Sequence, residues 1–290
     1  MEKNEIVIQS LKNNMSNKKV NTIILGVQKC GTTTLSHYLS QHPEINFCKQ
    51  KEPDFFSKGN DWTKELKSYH QLYTSSENSA KKKIWMEAST TYSWLLEYPE
   101  VPKRLLEYNK NLKFIYIMRD PIARIKSHYL HHRLKAYTNK PFEEEVINNP
   151  TYLAHSKYAM QIRPFLELFP FENFHFMTLK QLKENTAKEL LSVANFLDIS
   201  KEGFEIIDKS LKNKTSELKK TRSMKKTLTP LARLFPLKIR NSLRGLFYYN
   251  ADLNFEMEPE FEQYLWRFLE DDVRAMENIT NMELENTWKR

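Results

Sequence analysis

The chain has 290 residues, 40% hydrophobic and 12% aromatic, enough to bury a sizeable core. It contains no run approaching the roughly 18–20 apolar residues of a membrane span, no apolar signal segment in its polar first 19 residues, and only two cysteines, Cys30 and Cys48, too few for a disulfide framework. The formal charge of +9 is concentrated in residues 212–244, where eleven Lys or Arg face one acid, Glu217, so the remainder is close to neutral and the block points to a local anionic partner.

The expectation from these features is a cytoplasmic chain, although a segment cut from an anchored parent would look the same. Residues 1–19 read as a flexible tail and residues 20–290 as one domain. Residues 20–27, VNTIILGV, form a short β-branched run closing on Gly26, and residues 33–40 carry helical spacing, which predicts strand, loop, helix. Short strands are expected at 45–48 and 84–87 and a helix at 101–108. Residues 112–118, LKFIYIM, read as a buried strand, dense in β-formers and too short for a helix. Asp120-Pro121 predicts a helix start with 122–134 on it, because Asp suits the position before the first turn and Pro the turn itself. Further helices are expected at 152–169, 187–197 and 258–276, with a strand at 174–178. Strands alternating with helices predict an α/β fold, a P-loop-like single domain whose central parallel sheet is flanked by helices. The basic segment 212–245 holds Pro230 and Pro236, which predicts short helices or a lid over a cofactor.

The segment Gly26-Val27-Gln28-Lys29-Cys30-Gly31-Thr32-Thr33 has the frame of a P-loop between a buried strand and a helix, where backbone N–H groups and the helix N-terminus form a concave anion site. One position departs. Thr32 stands where a nucleotide-triphosphate site carries its lysine, and the lysine is three places earlier, at Lys29. In P-loop NTPases that lysine reaches the β- and γ-phosphates and the following Ser or Thr holds Mg²⁺, so the change speaks against ATP or GTP hydrolysis. It suits a loop for a single 5′-phosphate bearing a smaller transferable group, with Lys29 neutralising charge on the leaving oxygen. The other reading is a solvated lysine in a turn shaped by its glycines. Arg119 closes the 112–118 strand, where open α/β sheets bind ligands, and Ser127 follows eight residues on, about two helical turns along. The pair fits a second phosphate, gripped by a guanidinium fork and a hydroxyl. Its alternative is an ion pair with Asp120 and an ordinary helix residue.

Two other function classes compete. A kinase or NTPase would use Asp120 as its Mg²⁺ acid. A nucleic-acid or membrane binder would use LARLFPLKIRNSLRGLF, which mixes basic and apolar residues as interfacial helices do. The block is read instead as covering the cofactor and part of the core, so no nucleic-acid partner is expected. His128 and His132 share a helix face, but no further ligand at metal spacing stands nearby, and no metal is expected.

Taken together, GVQKCGTTTLSHYLSQHP, KEPDFF and IYIMRDPIARIKSHY resemble the PAPS-dependent sulfotransferase family, and most resemble its carbohydrate branch, which includes heparan sulfotransferase domains and bacterial members. The tail EPEFEQYLWRFLEDDVRAMEN is similar to the closing helix of bacterial members. The resemblance implies metal-free transfer of a sulfuryl group from 3′-phosphoadenosine-5′-phosphosulfate (PAPS) to a hydroxyl or amine, leaving 3′-phosphoadenosine-5′-phosphate (PAP). It assigns Gln28, Lys29, Cys30, Gly31, Thr32, Thr33 and Thr34 to the 5′-phosphosulfate loop. Arg119 and Ser127 become the 3′-phosphate site, which distinguishes PAPS from ATP. Glu52, in KEPDFF, matches the family's general base, where a carboxylate takes the acceptor proton; a solvated Glu beside Lys51 is the alternative. Lys220 and Arg222 resemble a mobile loop that closes over the cofactor. Asp54 stands where relatives often carry His, and in EASTTYS Glu87 matches while Ala88 replaces the common Lys. The acceptor is expected to be carbohydrate-like, with O- and N-sulfation both open. Phe55, Phe56, Trp62, Tyr92 and Trp94 offer either its pocket lining or core.

Overall fold

The computed structural model describes residues 19–58, 61–73, 82–204 and 257–288. In chain order the elements are β1 (Thr22–Gly26), α1 (Thr32–Ser40), β2 (Ile45–Phe47), α2 (Leu66–Gln71), β3 (Ile84–Ala88), α3 (Val101–Tyr108), β4 (Lys113–Met118), α4 (Pro121–Leu134), α5 (Phe142–Asn148), α6 (Thr151–Ala154), α7 (Tyr158–Leu166), β5 (Phe174–Thr178), α8 (Leu179–Glu184), α9 (Thr186–Leu197), α10 (Pro259–Thr280) and α11 (Glu285–Trp288). A 3₁₀ turn, Thr90–Ser93, follows β3. The described residues divide into two compact units, one of residues 19–120, 157–204 and 272–288, the other of 121–156 and 257–271. No described helix is long and apolar enough to cross a membrane.

The first unit is built on a five-stranded sheet of order β2-β3-β1-β4-β5 in which every pairing is parallel. Parallel strands buried on both faces read as continuous apolar runs, and β1 and β4 do so. The pleat sorts them. Ile24, Met86, Ile115, Ile117 and Met177 join Leu35 and Leu39 of α1, Leu182 of α8 and Leu190, Val193 and Leu197 of α9 in one core. The residues of opposite phase meet aromatic side chains: Phe114 lies against Phe165, Phe169 and Phe174, and Tyr116 against Tyr158. Because the strands are parallel, the segments following β1, β2, β3 and β4 all leave one edge of the sheet, where ligands bind in this architecture. These segments are the P-loop, KEPDFF, the end of EASTTYS, and Arg119.

In the second unit α4 carries a fully buried Arg124 whose Nη2 lies 2.6 Å from His128 Nδ1. Tyr129 packs on Phe142, and Phe142 on Phe261. Helix α5 has no counterpart among the sequence expectations. Its buried residues Phe142, Glu145 and Val146 keep helical spacing over too few turns to show a period, and its first turn carries Glu143, Glu144 and Glu145, which favour the positive end of the dipole.

The helix expected at 152–169 is two helices, α6 and α7. Lys157, at φ −87° and ψ 86°, leaves the helical region, and the Ser156 hydroxyl donates to Tyr152 O at 2.8 Å in the preceding turn. The new N-terminus is capped from a distance, since Ala159 N and Met160 N donate to the Asp272 carboxylate at 3.0 and 2.8 Å. The remaining expected strands and helices occur within a few residues of their bounds.

Candidate active site

Gly31 sits at φ 96° as the N-cap of α1, a conformation in which a β-carbon crowds the backbone. No side chain caps α1 and its first turn holds no acid, so its leading N–H groups and the positive dipole end are set for an anion. Thr32 is buried, Thr33 exposed and Thr34 half-buried, all in that first turn. Lys29 also takes a left-handed conformation, φ 71°, and Cys30 N donates to Val27 O at 3.1 Å, which tightens the loop. The Gln28 side-chain oxygen is buried there with no hydrogen-bond partner among the described residues.

Arg119 meets this loop directly. Its Nη1 donates to Lys29 O at 3.4 Å, and its own carbonyl accepts from the Tyr158 hydroxyl at 2.7 Å; that hydroxyl also lies 3.7 Å from the buried Cys30 Sγ. Tyr158 had no signal in the sequence, being one aromatic among many. Ser127 is half-buried on α4, in the second unit. Lys220, Arg222 and the whole 212–245 segment lie outside the described residues.

KEPDFF follows β2, and two of its residues, Glu52 at φ 51° and Asp54 at φ 53°, are left-handed without being glycine. Such conformations persist where surroundings fix them. Here the 3₁₀ turn and its approach do so: Asp54 N donates to Ser89 Oγ at 3.0 Å, Phe56 N to the Tyr92 hydroxyl at 3.3 Å, and Thr91 Oγ1 to Asp54 Oδ1 at 2.8 Å. Thr90 Oγ1 reaches Glu52 Oε1 at 3.5 Å, the outer limit of a hydrogen bond.

Beneath them lies Glu87, fully buried, which accepts from three hydroxyls: Tyr69 at 2.5 Å, Tyr92 at 2.9 Å and Ser89 at 2.6 Å. Burial pushes its carboxyl up to about 7, against the pull of those three donors and with a smaller push from the Asp54 charge. The sequence singled out Glu87 by resemblance but gave it no task. The available signal was an acid inside the apolar strand IWMEA followed by hydroxyl residues. Phe56, Trp62 and Tyr92 are buried around it and Phe55 stacks on Tyr69 at 4.2 Å, so these aromatics belong to the core on this side of the sheet.

The histidines of α4 form a different environment. His128 stacks near His155 and meets His132 edge-on, and burial, then the Arg124 charge, hold His155 down at about 3 and His128 lower still. A guanidinium against the imidazole makes this a poor place for a metal cation.

A solved structure of a sulfotransferase from Alicyclobacillus acidocaldarius matches with a TM-score of 0.66 at 23% identity, covering 94% of this chain and 99% of that one, which shows the shared α/β fold. Mouse heparan sulfate glucosamine 3-O-sulfotransferase 3B1 is 29% identical over 188 residues, 62% of this chain and 46% of the relative. Mouse heparan sulfate glucosamine 3-O-sulfotransferase 5 is also 29% identical, over 61% of this chain and 53% of its own length. The chain thus spans about half the length of these relatives. The family profile described as a sulfotransferase domain matches residues 19–242, well over half of the chain. On that match the chain belongs to the sulfotransferase domain family.

Proposed function

We propose that the chain transfers a sulfuryl group from PAPS to a hydroxyl or amine of a carbohydrate-like acceptor. The observation that carries this reading is the hydrogen bond from Arg119 to the Lys29 carbonyl, which ties a cation at the end of β4 to the anion-ready N-terminus of α1. A ligand with phosphate at both the 5′ and 3′ positions of one ribose needs two such groups close together. The buried, unpartnered Gln28 oxygen in the same loop fits a ligand with donors of its own.

PAPS supplies an activated sulfuryl group on a 5′-phosphate. The loop N–H groups of residues 30–34 and the Lys29 ammonium neutralise the negative charge held there, while Arg119 and Ser127 select the 3′-phosphate. Glu52 takes the acceptor proton. The glucosaminyl acceptors named for the mouse relatives favour an amino-sugar hydroxyl. A kinase reading finds no support, because Thr32 leaves no lysine in the β/γ-phosphate position. A nucleic-acid-binding reading finds none among the relatives named above.

Calorimetric titration with PAP in EDTA tests the nucleotide site, with ATP as the comparison ligand. Metal-free binding is expected, weakened on the order of 10- to 100-fold in Arg119→Ala, the equivalent of losing a charge-assisted bond of about 1.5–3 kcal/mol. No PAP binding, or equal preference for Mg-ATP, overturns the proposal.

A further inference from the structure

Among the hydrogen bonds that hold the loop carrying Glu52, which include one from Arg104 Nη1 to Phe56 O at 2.9 Å, two backbone N–H bonds lead to the same buried acid. Asp54 N donates to Ser89 Oγ, which donates to Glu87 Oε2; Phe56 N donates to the Tyr92 hydroxyl, which donates to Glu87 Oε1. An ionised carboxylate only accepts, so it obliges both hydroxyls to point their protons at it and leaves their lone pairs free for the loop N–H groups. A protonated carboxyl carries one donor of its own, and one of its three hydroxyl neighbours must turn away. The neutral carboxyl is also the weaker acceptor, so the Ser89 and Tyr92 hydroxyls are less firmly oriented and both arms of the loop loosen.

We propose that Glu87 is a positioning residue for Glu52: its carboxylate orients the Ser89 and Tyr92 hydroxyls so that they fix the left-handed 52–56 loop and hold the Glu52 carboxylate in place. The inference rests on the reading of Glu52 as the group that takes the acceptor proton. Two neighbouring contacts belong to the same clamp, from Thr91 to Asp54 and from Thr90 to Glu52. Among the described residues they leave Glu52 itself with one weak hydrogen bond, so its position depends on the backbone beneath it.

The groups facing Glu87 leave it as the proton-dependent member. Tyr69 and Tyr73 on the α2 side, Tyr92 in the 3₁₀ turn, and Tyr108 of α3 are all pushed upward, chiefly by burial, and Cys48 beyond β2 is raised to about 11. They remain neutral between about pH 5 and pH 9. Asp54 is the other carboxylate, and its charge opposes ionisation of Glu87.

The test follows the ¹H–¹⁵N shifts of the Asp54 and Phe56 amides against pH in the full chain, beside sulfuryl transfer from PAPS to heparan sulfate and PAP binding. Both amides should titrate together near pH 7, in step with Glu87. The titration should vanish in Glu87→Gln and persist in Glu52→Gln, which separates Glu87 from the base itself. Ser89→Ala, a smaller change should Glu87→Gln fold poorly, should remove the Asp54 arm alone. It should lower kcat by roughly tenfold or more with the PAP Kd unchanged, since misplacing a reacting group by about 1 Å costs on the order of 100-fold. Amides that do not titrate, that loosen as Glu87 ionises, or a Ser89→Ala kcat equal to the wild type overturn the inference. Intact PAP binding with no transfer by the wild type rules out heparan sulfate as the acceptor, and transfer undiminished in Glu52→Gln overturns instead the reading of Glu52, while the amide shifts still decide whether Glu87 holds the loop.

Discussion

At the residue scale, Gly31 shows where the site tolerates no side chain. A β-carbon there would lie 2.5 Å from Leu179 Cδ1, and the backbone sits at φ 96°. The first obstacle is the far end of a flexible leucine that can swing aside. The second is fixed, because left-handed backbone costs an L-residue roughly 1–2 kcal/mol. Gly31→Ala should therefore lower stability by about that amount and weaken PAP binding by distorting the first turn of α1, measured by denaturant unfolding and calorimetry. Adding Leu179→Ala should restore little of either. Gly31→Asn should be milder than Gly31→Ala, since Asn occupies the left-handed region more readily. An alanine variant rescued by Leu179→Ala would show that contact, and not φ, governs the position.

At the element scale, Asp272 decides how α7 begins. Its carboxylate accepts from both Ala159 N and Met160 N, groups that the break after α6 leaves without intrahelical partners. Asp272→Ala should cost about 0.5–2 kcal/mol, the usual penalty for losing a helix N-cap, and lower the thermal midpoint; Asp272→Asn, which keeps an acceptor oxygen, should cost less. This cap marks the limit of what the sequence made legible. The strands at 20–27 and 112–118 were readable because both faces are buried and their composition is β-branched and aromatic. The P-loop frame was readable because its glycines and threonines have local backbone tasks. The division of 152–169 was not, because the apolar pattern continues across it and the acid that caps α7 lies more than a hundred residues away. The task of Glu87 and the place of Tyr158 were illegible for a similar reason: the Asp54 and Phe56 amides that Ser89 and Tyr92 hold, and the pairing of Tyr158 with Arg119 O, join segments distant in the chain.

At the scale of the whole molecule, Glu87 sets fold stability against the order of the loop. With its carboxyl raised from 4.5 to about 7, the folded chain keeps a proton that the unfolded chain releases. The sign follows by linkage: the stability from this group is complete below the unfolded value, declines as pH rises, and is gone once pH has passed the folded value. The ceiling on that loss is on the order of 3 kcal/mol. Gln at this position cannot ionise, so the denaturant midpoint of wild type should fall relative to Glu87→Gln as pH rises from about 5 to 8, whatever constant offset the new amide introduces against Ser89. Every other titrating group contributes alike to both chains and cancels in the difference, to the extent that Glu87 does not perturb it. The amides of Asp54 and Phe56 should move the opposite way, gaining order over the same interval, because a charged acceptor strengthens the hydroxyl bonds that hold them. A group retained only for packing would shift stability and loop order together, and an apolar residue would fill its place at lower cost. Opposite signs are the mark of an acid kept for the site at the expense of the fold. A stability difference that stays constant with pH would mean that Glu87 does not change its charge state in this range, and the hydroxyls around it would then be ordinary core contacts.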